Sequence, residues 1–191
     1  MKAVILLGTL KKDEKSNTEI LSEFLCQKME KKKIKCEIIK LVHHIILSGT
    51  YSDMGGGDQW PVILEKILEA EIIIFATPVW WGNQSSEIQR VIERLDEIHD
   101  EIILGKKSKL EGKVGGIVIT GDGDGAEHII GNISNFFNAV GIVLPPYATL
   151  SVLSPMHSKG KKTSPSELMK KYKKEYSKTA DTMVEQLYKY R

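Results

Sequence analysis

The sequence predicts an α/β protein, a doubly wound five-stranded parallel sheet with helices on both faces. Three observations carry this. Short runs such as "KAVILLG" and "EIIIFA" are apolar throughout, as strands covered on both faces are. Between them lie stretches with apolar residues at helical spacing. The two types alternate five times, which leaves each strand joined to the next through a helix.

The first strand, "KAVILLG", ends at Gly8. "SNTEILSEFLCQKMEKKK" follows, with Ile20, Leu21, Phe24, Leu25 and Met29 on one helical face and a start near Ser16. "IKCEIIKL" reads as the second strand. The segment from His43 to Asp58 is a loop, and "WPVILEKILEA" a short helix with Asp58 as its N-cap. "EIIIFA" is the third strand. Ser86 and Gln89 then propose a capping box for a helix through Ile88, Val91, Ile92, Leu95 and Ile102, stopped by Gly105. "KVGGIVIT" is the fourth strand, "GDGDGAE" a loop and "HIIGNISNFFNAVG" a helix. The fifth strand lies in "IVLPPYATLSVL", interrupted at Pro145 and Pro146. Ser164, Pro165 and Glu167 start one long closing helix, with Leu168, Tyr172, Tyr176, Ala180, Met183, Val184 and Leu187 on its face. No repeat appears. The 191 residues read as one domain, 1–153 forming sheet and helices and 154–191 a connector and C-terminal helix.

A net charge of +2 is too balanced to argue for nucleic acid, and the lysine clusters at 31–33 and 170–174 read as solvated helix faces. The N-terminal run is too short for a signal peptide, and no apolar stretch reaches the ~18 residues of a membrane span. Cys26 and Cys36 have no C-x-x-C spacing, so reduced structural thiols in a cytoplasmic protein are expected. The five histidines suggest no metal site: only His43 and His44 are close, and adjacent strand residues diverge.

In an open parallel sheet, ligands bind beyond the carboxyl ends of the strands, where strand order reverses. The loops after strands one, three and four should meet there. In the first, Ser16, Asn17 and Thr18 open a helix, where free N–H groups and hydroxyls suit an anion. The other reading is that Ser16 only caps the helix. The second, "TPVWWGNQSSEIQR", places Trp80 and Trp81 side by side. Neighbours on an extended segment point opposite ways, so one tryptophan should face outward, to be covered by a flat ligand or a partner chain. Gly82 and Asn83 add close backbone approach and polar contact. The third, "TGDGDGAEH", brings glycine amides; a merely flexible loop is its alternative. "GDGDGA" matches G-x-G-x-x-A formally, but it follows the wrong strand and carries Asp122 and Asp124, which would repel a pyrophosphate. No G-x-x-x-x-G-K-[ST] is present. An anion site, aromatic surface and glycine amides together describe a phosphate at one end and a polar-edged ring at the other, as in flavin mononucleotide (FMN).

"GTLKKDEKSNTEIL", "TPVWWGNQSSEIQRVIERLD" and "GDGDGAEHIIGNISNFFNAVGIVLPP" resemble the three cofactor loops of the flavodoxin-like NAD(P)H-dependent FMN reductases. The resemblance covers Lys2 to about Leu153, and the second loop is its most specific part. It implies strand order 2-1-3-4-5, the order the flavodoxin fold exemplifies. It implies that Thr9, Ser16, Asn17 and Thr18 hold the FMN phosphate. Pro78, Val79, Trp80, Trp81, Gly82 and Asn83 would line the isoalloxazine and ribityl chain, and Gly121, Asp122, Gly123 and Asp124 the other side of the ring. Some relatives are iron–sulfur flavoproteins, but the 43–58 region here has no cysteine to hold a cluster. The implied activity passes electrons from NADH or NADPH to a small acceptor such as a quinone or free flavin. The flavin carries that chemistry, so no catalytic side chain is named; His128 and Asp122 are candidates to tune it. A homodimer or homotetramer is the implied assembly. An electron-carrier flavodoxin is the alternative, disfavoured because steered carriers present an acidic face. A signalling receiver is rejected, since the first and third strands end in "LLGTL" and "FATPVW" without the required acids.

Overall fold

The computed structural model describes residues 1–154 and 163–191. Five strands form one parallel sheet: β1 Lys2–Leu7, β2 Lys35–Lys40, β3 Ile72–Pro78, β4 Val114–Asp122 and β5 Thr149–Ser154. Their order is β2-β1-β3-β4-β5, as the resemblance implied. Ile5 lies between Ile38 on β2 and Ile74 on β3, and Ile74 is beside Gly116 on β4. The helices are α1 Asn17–Lys31, α2 Trp60–Glu69, α3 Ser86–Arg94, α4 Asp96–Ile103, α5 Ala126–Val140, α6 Pro165–Glu175 and α7 Ser177–Lys189.

Alternate strand residues feed two cores. Leu6, Phe75, Ile117 and Ile119 pack under α2, α3, α4 and α5. Ile5, Leu7, Ile74 and Val118 pack under α1, α6 and α7. The central strands are therefore apolar on both faces, which is why they read as unbroken apolar runs.

Two expected helices are each divided. The helix after β3 breaks at Leu95, whose N–H is shared between the Val91 and Ile92 carbonyls, and restarts with Asp96 and Glu97 in a favourable first turn. The closing helix breaks at Tyr176, beside Ser177, whose hydroxyl donates to the Lys173 carbonyl at 2.6 Å. Such back-bonding bends helices. The cap of α3 is Ser85, not Ser86: Ser85 is fully buried, its N–H donates to Thr77 Oγ1 at 2.9 Å, and its hydroxyl accepts the Ile88 N–H. Gln89 instead pairs with Gln84 and Glu93. Gln59 occupies the cap position of α2, while Asp58 accepts the Trp60 N–H from one residue further back. Ser164 and Glu167 form the expected capping box at α6.

The reduced-thiol expectation is overturned: Cys26 of α1 and Cys36 of β2 form a disulfide. The partners are ten residues apart in sequence, and the turn between helix and strand lays Cys36 beneath α1. Their pairing withdraws the support that cysteine usage lent to a reducing compartment. Closing so short a loop stabilises a protein by about 2–3 kcal/mol. Reduction should therefore lower the urea unfolding midpoint, and an unchanged midpoint would mean that the bridge adds nothing.

Candidate functional site

The carboxyl ends of β1, β3 and β4 converge at one edge of the sheet, and a cleft of about 490 Å³ opens there. The volume suits a cofactor-sized ligand.

One end is built on α1. Ser16 caps that helix: its hydroxyl accepts the Glu19 N–H at 3.0 Å, and the Glu19 carboxylate accepts the Ser16 N–H. The capping reading is thus correct, yet Ser16, Asn17 and Thr18 all line the cleft as well. The N–H groups of Asn17 and Thr18, in the first turn, have no intrahelical acceptor to satisfy. Glu19 is drawn to Lys40, 3.0 Å away, so its charge is balanced. The buried hydroxyls of Thr18 and Thr120 meet at 2.6 Å. Two hydroxyls bring two protons and this bond uses one, so a second remains to donate. Thr9 Oγ1 accepts the Lys11 N–H at 3.2 Å, which folds the loop after β1 over the same end.

The middle wall comes from β3 and β4. Pro78, Val79, Trp80, Gly121 and Asp122 line it. The Val79 N–H donates to the Thr120 carbonyl at 2.8 Å, and a Cβ on Gly121 would stand 2.7 Å from Val79 Cβ. Glycine therefore lets the two strand ends close up.

The tryptophan pair is not extended. Trp80 and Asn83 exchange two backbone hydrogen bonds, at 2.8 and 2.9 Å, around a two-residue turn. Trp81 and Gly82 both have positive φ, +49° and +75°, as a type I′ turn requires. Asn83 Nδ2 donates to the Trp81 carbonyl at 3.0 Å. The turn leaves Trp80 half exposed on the cleft wall and Trp81 96% exposed above it. A Cβ on Gly125 would overlap the Gly82 backbone, so the loops after β3 and β4 touch at two glycines. Gly125 also has φ +100°. Gly125→Ala is expected to push the loops apart and destabilise the fold by about 1–3 kcal/mol; thermal unfolding checks it.

Of the expected site residues, Thr9, Ser16, Asn17, Thr18, Pro78, Val79, Trp80, Gly121 and Asp122 line the cleft. Trp81, Gly82, Asn83, Gly123 and Asp124 lie in the turns beyond its wall. His128 is also off the wall, its Nε2 3.1 Å from Asn132 Nδ2 on the exposed side of α5. Sequence reasoning missed Leu10, Lys11, Thr120, Val152, Ser154 and Thr163, and Leu168, Lys171 and Tyr172 of α6. Only the ends of strands four and five carried a signal for them. Tyr172 is almost fully buried, its hydroxyl reaches the Asn17 carbonyl at 3.4 Å, and burial, with Tyr176 beside it, pushes its pKa up to about 12. Its folded value thus exceeds the unfolded one, so the native state holds that proton longer. Stability should fall between about pH 10 and pH 12 as the unfolded chain alone releases it. Tyr172→Phe should flatten that alkaline loss in a pH series of unfolding midpoints.

Residues 1–153 match the model of the family described as NADPH-dependent FMN reductase. The chain belongs to that family. Among curated relatives, the 8-demethyl-8-aminoriboflavin-5'-phosphate synthase of Streptomyces davaonensis is 32% identical over 168 residues, covering 81% of this chain. A divalent metal cation transporter, MntH, of Mycobacterium bovis is 31% identical over 153 residues, covering 78% of this chain. The matched stretches span only 64% and 22% of those two proteins. Among the described residues no helix is long and apolar enough to cross a membrane. A solved structure of RosB, with 8-demethyl-8-formylriboflavin-5'-phosphate bound, superimposes at TM-score 0.81 with 27% identity, covering all of this chain and 78% of that one.

Proposed function

We propose that this chain is an FMN-binding oxidoreductase, passing electrons from NADH or NADPH to a small acceptor such as a quinone or free flavin. One observation carries the reading: a single cleft in a member of this family joins unsatisfied helix N–H groups and threonine hydroxyls to a wall of tryptophan, valine and glycine. That donor set suits a phosphate at one end and a flat ring at the other.

The residues fit the cofactor. Thr9, Ser16, Asn17 and Thr18 would hold the phosphate through N–H and O–H donors. Pro78, Val79 and Trp80 would cover the ring and ribityl chain, with Gly121 and Asp122 bordering the other side. Trp81, Gly82, Asn83, Gly123 and Asp124 would close over the mouth. When bound, the flavin supplies hydride acceptance and electron transfer. The protein's part is to orient that ring, to keep water from one of its faces and to leave the other open for donor and acceptor. A tryptophan as exposed as Trp81 also suits a homodimer or homotetramer that covers it, which sedimentation of wild type and Trp81→Ser would test.

Mixing FMN-loaded protein with NADH or NADPH without oxygen tests the activity. Bleaching of the flavin band at a turnover-compatible rate is expected; a band that neither nucleotide bleaches would overturn the NAD(P)H-dependent reading.

The similarity to an aminoriboflavin-phosphate synthase, and to RosB with a flavin phosphate bound, favours a second reading in which the flavin phosphate is substrate. Both readings use the same cleft. Mass analysis of the recovered flavin separates them: an unchanged mass means cofactor, an altered 8-position means substrate.

A further inference from the structure

The family match ends at residue 153, and α6 begins at Pro165, yet α6 supplies part of the cleft wall. Leu168 and Tyr172 are buried one turn apart on it. The Tyr172 hydroxyl bonded to the Asn17 carbonyl fixes α6 beside the first turn of α1. Lys171 is next to Tyr172, lines the same cleft and is exposed to solvent there. Among the described residues it forms no ion pair, whereas Lys15, Lys28, Lys32 and Lys40 each have a carboxylate. Lys11, the other lysine on the cleft among the described residues, comes from the loop after β1 and has Glu14 at 3.3 Å.

We propose that Lys171 is a specificity-determining residue which makes this cleft select a phosphomonoester dianion, so that phosphorylated flavin is held in preference to the unphosphorylated one. The inference rests on the flavin reading above and deepens it. The first turn of α1 and the threonine hydroxyls donate as neutral groups. Those donors and the dipole of α1 already favour an anion without supplying a full positive charge, and a lysine on the same cleft wall adds one. Lys171 brings that charge from a helix outside the matched segment, and it is exposed to solvent on the cleft wall. A charge-assisted contact of this kind changes affinity by about tenfold or more.

The test is titration of the full chain with FMN and with riboflavin, followed by tryptophan quenching, for wild type, Lys171→Met, Lys171→Arg and Lys174→Met. Lys174 is exposed three residues on and off the cleft wall. Wild type should prefer FMN. Lys171→Met should weaken FMN about tenfold, leave riboflavin unchanged and reduce the salt dependence of FMN binding. Lys171→Arg should restore most of the preference, and Lys174→Met should behave as wild type. Equal weakening of FMN and riboflavin would place Lys171 at the ring and overturn the proposal. An unchanged FMN affinity in Lys171→Met, with wild type still binding, would overturn it while sparing the flavin reading. A wild type that binds neither flavin would overturn both.

Discussion

Arg94→Ala is expected to lower the unfolding free energy by about 3–5 kcal/mol. Arg94 Nη2 stands 2.6 Å from Asp58 Oδ2, and both side chains are fully buried. Its Nη1 donates to the Leu47 carbonyl at 2.9 Å, and its guanidinium carbon lies 5.7 Å from the Trp60 ring. Asp58 in turn accepts the N–H groups of Leu47, Met54 and Trp60 at 3.1–3.2 Å. One ion pair thus ties the long loop between β2 and α2 to α3. Removing the arginine strands a buried carboxylate. Exposed pairs such as Lys15–Glu23 should cost less than about 1 kcal/mol each. Arg94→Lys should not rescue, because an ammonium cannot reach Asp58 and the Leu47 carbonyl with a planar fork. Urea unfolding of Arg94→Ala, Arg94→Lys and Lys15→Ala checks this.

The same pair sets an acid response. Burial would raise the Asp58 pKa, but the three N–H donors and Arg94 more than offset it and hold the carboxyl below its ordinary value. A folded pKa below the unfolded one gives stability that is present above about pH 4 and lost as pH falls through the folded value. Arg94→Ala should reduce that acid loss as well as the neutral-pH stability.

Gly121→Leu is expected to weaken FMN binding about a hundredfold, close to 3 kcal/mol. Gly121 lines the cleft, and any Cβ there meets Val79 at 2.7 Å. A leucine must displace Val79 or project into the ligand's space. Gly131→Ala, on the exposed side of α5, is the control, since a Cβ there meets nothing within 4 Å. Calorimetric titration of both with FMN decides: equal affinities would mean that the ligand does not lie against the ends of β3 and β4.

The sheet was readable because β1, β3 and β4 are covered on both faces, so Ile, Leu and Val fill consecutive positions. The helix start at Ser16 was readable because a Ser-Asn-Thr run caps a helix whatever that helix packs against. The two tryptophans were read correctly as partly exposed but wrongly as extended. Asn83 after Gly82 is turn chemistry, and the turn, not strand alternation, sets where Trp80 and Trp81 go. The Cys26–Cys36 bridge, the Arg94–Asp58 pair and the α6 wall join residues 10, 36 and about 150 positions apart. None leaves a local pattern, since each depends on how helices settle on the sheet.

Both readings of the flavin require FMN to bind in this cleft. Titrating FMN into wild type, Trp80→Phe and Trp81→Phe, with tryptophan fluorescence as the signal, tests it most directly. Trp80 lines the cleft and Trp81 stands 96% exposed outside its wall. Wild type should show saturable quenching at about micromolar FMN or below, mostly lost in Trp80→Phe and mostly kept in Trp81→Phe. No saturable quenching in wild type, with no flavin carried through purification, would contradict it.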